Sequence, residues 1–88
     1  SELRLALMSV LMSVEEADFL YLKEVTGATS GNISVQLDKL STAGYIEIEK
    51  GFSGKRTRTT CRATNVGREA FSAHFEALKS YLPPDAAR

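Results

Sequence analysis

Cysteine is nearly absent from this chain. Cys61 is the only one, which excludes an internal disulfide and a cysteine-built zinc site. Such sparing use fits a reducing cytosol. His74 is the only histidine. It falls in a helix-like run and Cys61 in a strand-like run, so the two do not make a nucleophile–base pair. Net charge is absent as well: 11 basic and 11 acidic residues cancel. A uniformly basic nucleic-acid binder is thereby excluded, but a locally basic one is not. The longest apolar stretch, Leu5 to Val14, is far short of the roughly 20 residues that span a bilayer. Acidic Glu15 and Glu16 follow it instead of a small-residue cleavage site. It reads as a buried helix, and no membrane partner is expected. Ser1 rather than Met opens the chain, which points to a trimmed start. No repeat, low-complexity tract or linker interrupts the sequence. No carboxylate pair, metal cluster, glycine-rich phosphate loop or activated nucleophile stands out, so a non-enzyme without metal or cofactor is expected.

What is present suits one small domain. The 88 residues are 43% hydrophobic and 25% charged, ordinary values for a globular protein. Leu3, Leu7, Val10, Leu11 and Val14 recur at helical spacing and predict a helix over about residues 2–13. Leu5, Met8 and Met12 widen its apolar arc. Asp18 to Thr26 reads as a second helix with Phe19, Leu20, Leu22 and Val25 as its apolar set, closed by Gly27. Thr29 or Ser30 can cap a third helix that buries Ile33, Leu37 and Leu40 and stops near Ala43-Gly44. Tyr45 to Lys50 alternates as a strand, Gly51 to Gly54 is a hairpin tip, and Lys55 to Ala63 returns. Thr64 caps a last helix over about residues 65–82, ended by Pro83-Pro84. The expected fold is mainly α with a β-hairpin: three helices, a two-stranded wing and a C-terminal helix.

Two helices joined by a short glycine-containing turn form the helix-turn-helix unit, whose second helix enters the major groove of double-stranded DNA. That helix must be buried on one side and polar on the other. On a wheel, Leu37 and Leu40 fall within about 40° of Ile33. The opposite face carries Gly31, Asn32, Val35, Lys39 and Thr42, with Gln36 on its flank. Asn and Gln can read adenine edges, Ser several bases, and Val a thymine methyl. Lys39 suits a phosphate. The same residues also suit an ordinary solvated face, and Asp38 beside them repels phosphate.

The hairpin is locally basic. Lys50, Lys55, Arg56, Arg58 and Arg62 occur between positions 50 and 62 with no acidic residue among them. A basic hairpin beside a recognition helix acts as a wing on the DNA backbone or in the minor groove. With residues 51–54 as the loop, Lys50 faces Lys55, Glu49 faces Arg56 and Glu47 faces Arg58. The arginines are then partly neutralised across strands, and Lys50 and Lys55 become the better phosphate contacts. Phe52 at the tip either touches DNA, folds back on the hairpin or sits exposed. Cys61 falls on the inner side of its strand with Thr57 and Thr59, which favours a buried structural role over a redox one.

The segments "GNISVQLDKLSTAGYIEIEKGF" and "RTRTTCRATNVGREAF" resemble winged helix-turn-helix transcriptional regulators of the MarR/ArsR-like kind, in particular their small single-domain group. The resemblance covers Leu11 to Phe71, and the flanking helices fit it too. It implies a recognition segment from Ser30 to Lys39, with Ser30, Asn32, Ser34, Val35, Gln36 and Lys39 toward DNA. It also implies a wing using Lys55 to Arg58, and a homodimer in the cytoplasm. Val35 stands where the family often has a basic residue, which leaves more of the electrostatics to the wing.

A dimer is expected from the chain ends as well. Leu3, Leu7 and Leu11 on the first helix, and Phe71, Phe75, Leu78 and Leu82 on the last, make more apolar surface than one small domain easily covers, and such patches mark interfaces. Paired copies would hold their recognition helices roughly 34–36 Å apart on a pseudo-palindromic site. The other reading keeps the winged helix but gives it a protein partner and no DNA.

Overall fold

A computed structural model describes residues 1–74 of the chain. Its elements run α1 (Glu2–Ser13), β1 (Ala17–Asp18), α2 (Phe19–Thr26), α3 (Ser30–Thr42), β2 (Ile46–Ser53), β3 (Arg56–Ala63) and α4 (Asn65–Ser72). Each helix begins at a side-chain oxygen that accepts an otherwise unpaired N–H. Ser1 accepts from Arg4, Asp18 from Tyr21, Thr29 from Asn32 and Thr64 from Gly67. Gly27 ends α2 at φ 69°, in the left-handed region that suits glycine, and donates its N–H to the Lys23 carbonyl. Three residues, Gly27 to Thr29, therefore turn α2 into α3.

The sheet has three strands where a two-stranded wing was expected. Its order is β1-β3-β2, all antiparallel. Ala17 pairs with Cys61 and Asp18 with Thr60. A two-residue strand is too short to leave any periodic signal, which is why the sequence hides it. The hairpin register also differs. Ser53 faces Arg56, Gly51 faces Arg58, Lys50 faces Thr59 and Glu47 faces Arg62. The turn is Gly54-Lys55, not Gly51 to Gly54. Gly54 takes φ 67°, as the first central residue of a tight two-residue hairpin turn requires. Gly51 stays inside β2. The expected pairs Lys50–Lys55, Glu49–Arg56 and Glu47–Arg58 are therefore not formed. The register moves by an even number of residues, so every side chain keeps its face and only its partner changes.

Ile33, Leu37 and Leu40 of α3 are buried, as their spacing requires, together with Leu22, Ile46 and Cys61. In α1 the five consecutive residues Leu7 to Leu11 are buried. Together they cover every side of the helix, the pattern of a helix enclosed by its neighbours. Leu7 and Leu11 are fully buried within the single chain. They pack its core and have no surface left for a dimer contact, which corrects that part of the expected interface. Leu3 and Phe71 are partly buried. Leu20, expected on the buried side of α2, is 71% exposed.

The end of the sheet is clasped to the end of α3. Thr64 donates its N–H to the Tyr45 carbonyl at 3.0 Å and its hydroxyl to the Gly44 carbonyl at 2.7 Å. The Phe71 ring meets Tyr45 edge-on, with centroids 5.4 Å apart. Arg68 donates to the carbonyls of Met12 and Val14 at 2.9 and 3.3 Å, a cation on acceptors that the end of α1 leaves free. The expected continuation of the last helix to Leu82, with Phe75 and Leu78, lies outside the described residues.

Cys61 is fully buried and its thiol is pushed up to about 11 by that burial, against a smaller opposing pull from Arg62. Such a thiol is neither accessible nor ionised at neutral pH. Native protein should leave Cys61 unmodified by iodoacetamide at pH 7.5, while protein in guanidinium is labelled fully. Prompt labelling of the native form would contradict the burial. Because folding raises this pKa, the associated stability is intact below the unfolded value of 9.0 and is lost as pH rises toward 11.

Candidate nucleic-acid interface

The outward face of α3 is open along its length. Ser30, Asn32, Ser34, Asp38, Lys39 and Thr42 are exposed, and Val35 at the centre is 50% exposed. Burial of the Ile33-Leu37-Leu40 stripe fixes the rotation of this helix, so these side chains leave the protein in a set direction. Gln36 departs from the expected set. It is half-buried on the α1 flank, and its Oε1 accepts a hydrogen bond from Arg4 Nε at 2.9 Å. Its amide oxygen is thus engaged by α1 and is not available to a base. Arg4 carried no sign of this role in the sequence, because the contact joins residues 32 positions apart.

The wing stands beside that face. Lys50 shares a cleft of about 220 Å³ with Ser34, Leu37 and Asp38 of α3 and Phe19 of α2. Lys55 occupies the turn and Arg56 faces Ser53. Both are exposed, and neither has an ion-pair partner among the described residues. The remaining two arginines are engaged. Arg58 Nε lies 3.6 Å from Asp18 Oδ2, the same carboxylate group that caps α2. Arg62 Nη2 lies 2.9 Å from Glu49 Oε1 and 3.2 Å from Glu16 Oε1. Those hydrogen bonds, the Glu49 one foremost, raise its pKa. The structure thus places Lys50, Lys55 and Arg56 as the free cations of the wing and gives Arg58 a competing partner.

The described residues hold no group of three or more His, Cys, Asp or Glu side chains placed to bind a metal. Among them, no helix is long and apolar enough to cross a membrane. What the surface offers is a projecting helix with a polar face, interrupted by Val35, and a basic β-ribbon set next to it. A duplex presents matching features, a wide major groove bordered by phosphates.

Comparison with known proteins supports the same architecture. An uncharacterized protein of Methanocaldococcus jannaschii is 37% identical over 80 residues, which span 90% of this chain and 87% of that protein. No solved structure matches the chain at a significant level. A family model described as a winged helix DNA-binding domain matches residues 3–82. With the helix-turn-helix, the three-stranded sheet and the basic ribbon all in place, the chain belongs to the winged helix DNA-binding domain family.

Proposed function

We propose that the protein is a sequence-specific, double-stranded-DNA-binding transcriptional regulator of the MarR/ArsR-like kind. It acts in the cytosol as a homodimer on a pseudo-palindromic operator and has no catalytic step. The observation that carries this reading is the free outward face of α3 beside the unpaired Lys50, Lys55 and Arg56. Asn32, Ser34 and Val35 read base edges in the major groove, and Lys39 holds a phosphate. The wing contacts the adjacent backbone. With Leu7 and Leu11 committed to the core, the dimer contact rests on Leu3, Phe71 and the segment carrying Phe75, Leu78 and Leu82.

The test is selection of bound duplexes from a random pool, read at two salt concentrations. An inverted half-site repeat is expected. The affinity should fall with a log–log salt slope near −0.9 for each phosphate contact. A second reading, a protein-binding module, is favoured by one observation: Asp38 is exposed on the same face, where it repels phosphate. Failure to bind any duplex at low salt would reject the regulator and leave the module.

A further inference from the structure

The wing carries one feature that phosphate contact does not explain. Phe52 is 77% exposed, the most exposed of the large hydrophobic side chains in the described residues. Its place in the strand accounts for this. Ile46 and Ile48 anchor β2 to the core, and Phe52 lies on the same face four positions beyond Ile48. At roughly 3.3 Å per residue, that puts it about 13 Å past the last core contact of its strand. The hairpin overhangs the domain, and this aromatic ring projects from the overhang. Exposed apolar side chains on a β-ribbon favour unwanted pairing, so a ribbon serving only as a cationic arm would be better with a polar residue there.

The surroundings of Phe52 indicate what meets it. Lys50 precedes it by two residues on the same face. Thr57 is directly opposite, Lys55 sits in the turn just beyond, and Arg56 opens β3 on the other face of the ribbon tip. None of these three cations has an ion-pair partner among the described residues. An apolar ring with one free cation on its own face and two more at the ribbon tip suits a ligand with phosphates at its edges and stacked rings between them. Protein segments inserted in the minor groove often drive such a ring between base steps, partly unstacking them and kinking the duplex.

We infer that Phe52 is a DNA-bending wedge: with α3 in the major groove, it enters the neighbouring minor groove and opens a base step. The inference rests on the DNA-binding reading above and adds a second activity to it, deformation of the bound duplex. It also makes Phe52 a specificity determinant without a base hydrogen bond. Pyrimidine–purine steps unstack most easily, so sites carrying one under the wing are favoured.

Ring closure by ligase tests this without knowledge of the operator. The probe is a mixed-sequence duplex of about 100 bp, shorter than the persistence length of DNA, which closes poorly unless bent. Binding to the same fragment is followed by gel retardation at low salt. Wild-type protein is expected to retard the fragment and raise circle formation about tenfold or more over DNA alone. Phe52→Ala should still retard it but lose the gain in closure. Phe52→Leu, which keeps an apolar wedge, should retain part of it. Because the ring is exposed, neither change disturbs the core. If wild type retards the fragment without promoting closure, or if Phe52→Ala promotes it equally, the wedge is wrong and the DNA-binding reading stands. If wild type retards no duplex, both fall together.

Discussion

Gly67→Ala will lower the stability of the fold by about 3 kcal/mol or more, the upper end of what overpacking costs. Gly67 is buried in the first turn of α4. A Cβ built there lies 2.8 Å from the Tyr45 carbonyl carbon and 2.9 Å from its Cα, and closer still to the carbonyl oxygen. These are backbone atoms, so no side chain can swing aside. Nor can the helix easily withdraw. Thr64 holds its start to Gly44 and Tyr45 by two hydrogen bonds, and Phe71 packs on the Tyr45 ring. Relief therefore requires breaking at least one of these contacts. In a domain of this size the expected loss in Tm is roughly 12–24 °C. Gly31→Ala is the matched control. It is also a helical glycine, yet an added Cβ there meets nothing within 4 Å. Alanine at that position should stabilise by roughly 0.5–1 kcal/mol. Thermal melts of the two variants should thus move in opposite directions. Equal, small shifts would mean that α4 does not approach the corner so closely.

Replacing Lys55 and Arg56 together by alanine will weaken binding to every duplex, with little effect on the melting temperature. Both side chains are exposed and neither is paired within the described residues, so the fold loses nothing that it uses. If each cation meets one phosphate, the log–log salt slope should shrink by about 1.8. On the same relation, affinity should drop about two hundredfold near 50 mM salt and about twentyfold near 200 mM. Arg58→Ala should cost less affinity than either of those cations, because Arg58 is already shared with Asp18. It should cost more stability, though surface ion pairs contribute only about 0–1 kcal/mol. Fluorescence anisotropy over a salt series checks the set. A double variant that keeps the wild-type slope would remove the wing tip from the interface.

The helices were legible in the sequence because their signals are local. The spacing of Ile33, Leu37 and Leu40, the caps at Thr29 and Thr64, and Gly27 after α2 each operate within a few residues. The outward residues of α3 follow from the same wheel. What was hidden depends on distant partners. The register of the wing is the clearest case. A shift by an even number leaves the apolar alternation unchanged, so Ile46, Ile48 and Cys61 face inward in either register. Only the positive φ of Gly54 decides between them, and Gly51 offered an equally good glycine. β1 was invisible because two residues carry no period. The hold of Arg4 on Gln36, and the need for Gly67 to lie against Tyr45, arise from chain crossings that no local pattern records. Leu20 was misplaced because an eight-residue helix on the surface gives its apolar positions too little context.

The small strand β1 has a further consequence. It pairs Ala17 and Asp18 with β3, and from the same short segment Glu16 and Asp18 reach Arg62 and Arg58. Asp18 also caps α2, which leads through three residues into α3. The ribbon and the recognition helix are thereby set like the two jaws of a fixed caliper. Their spacing is established when the chain folds, so little ordering entropy remains to be lost on docking. A caliper of fixed gape measures what it closes on. On the proposed DNA-binding reading, a duplex whose grooves do not match that gape must itself deform, and sites would be ranked by how readily they do.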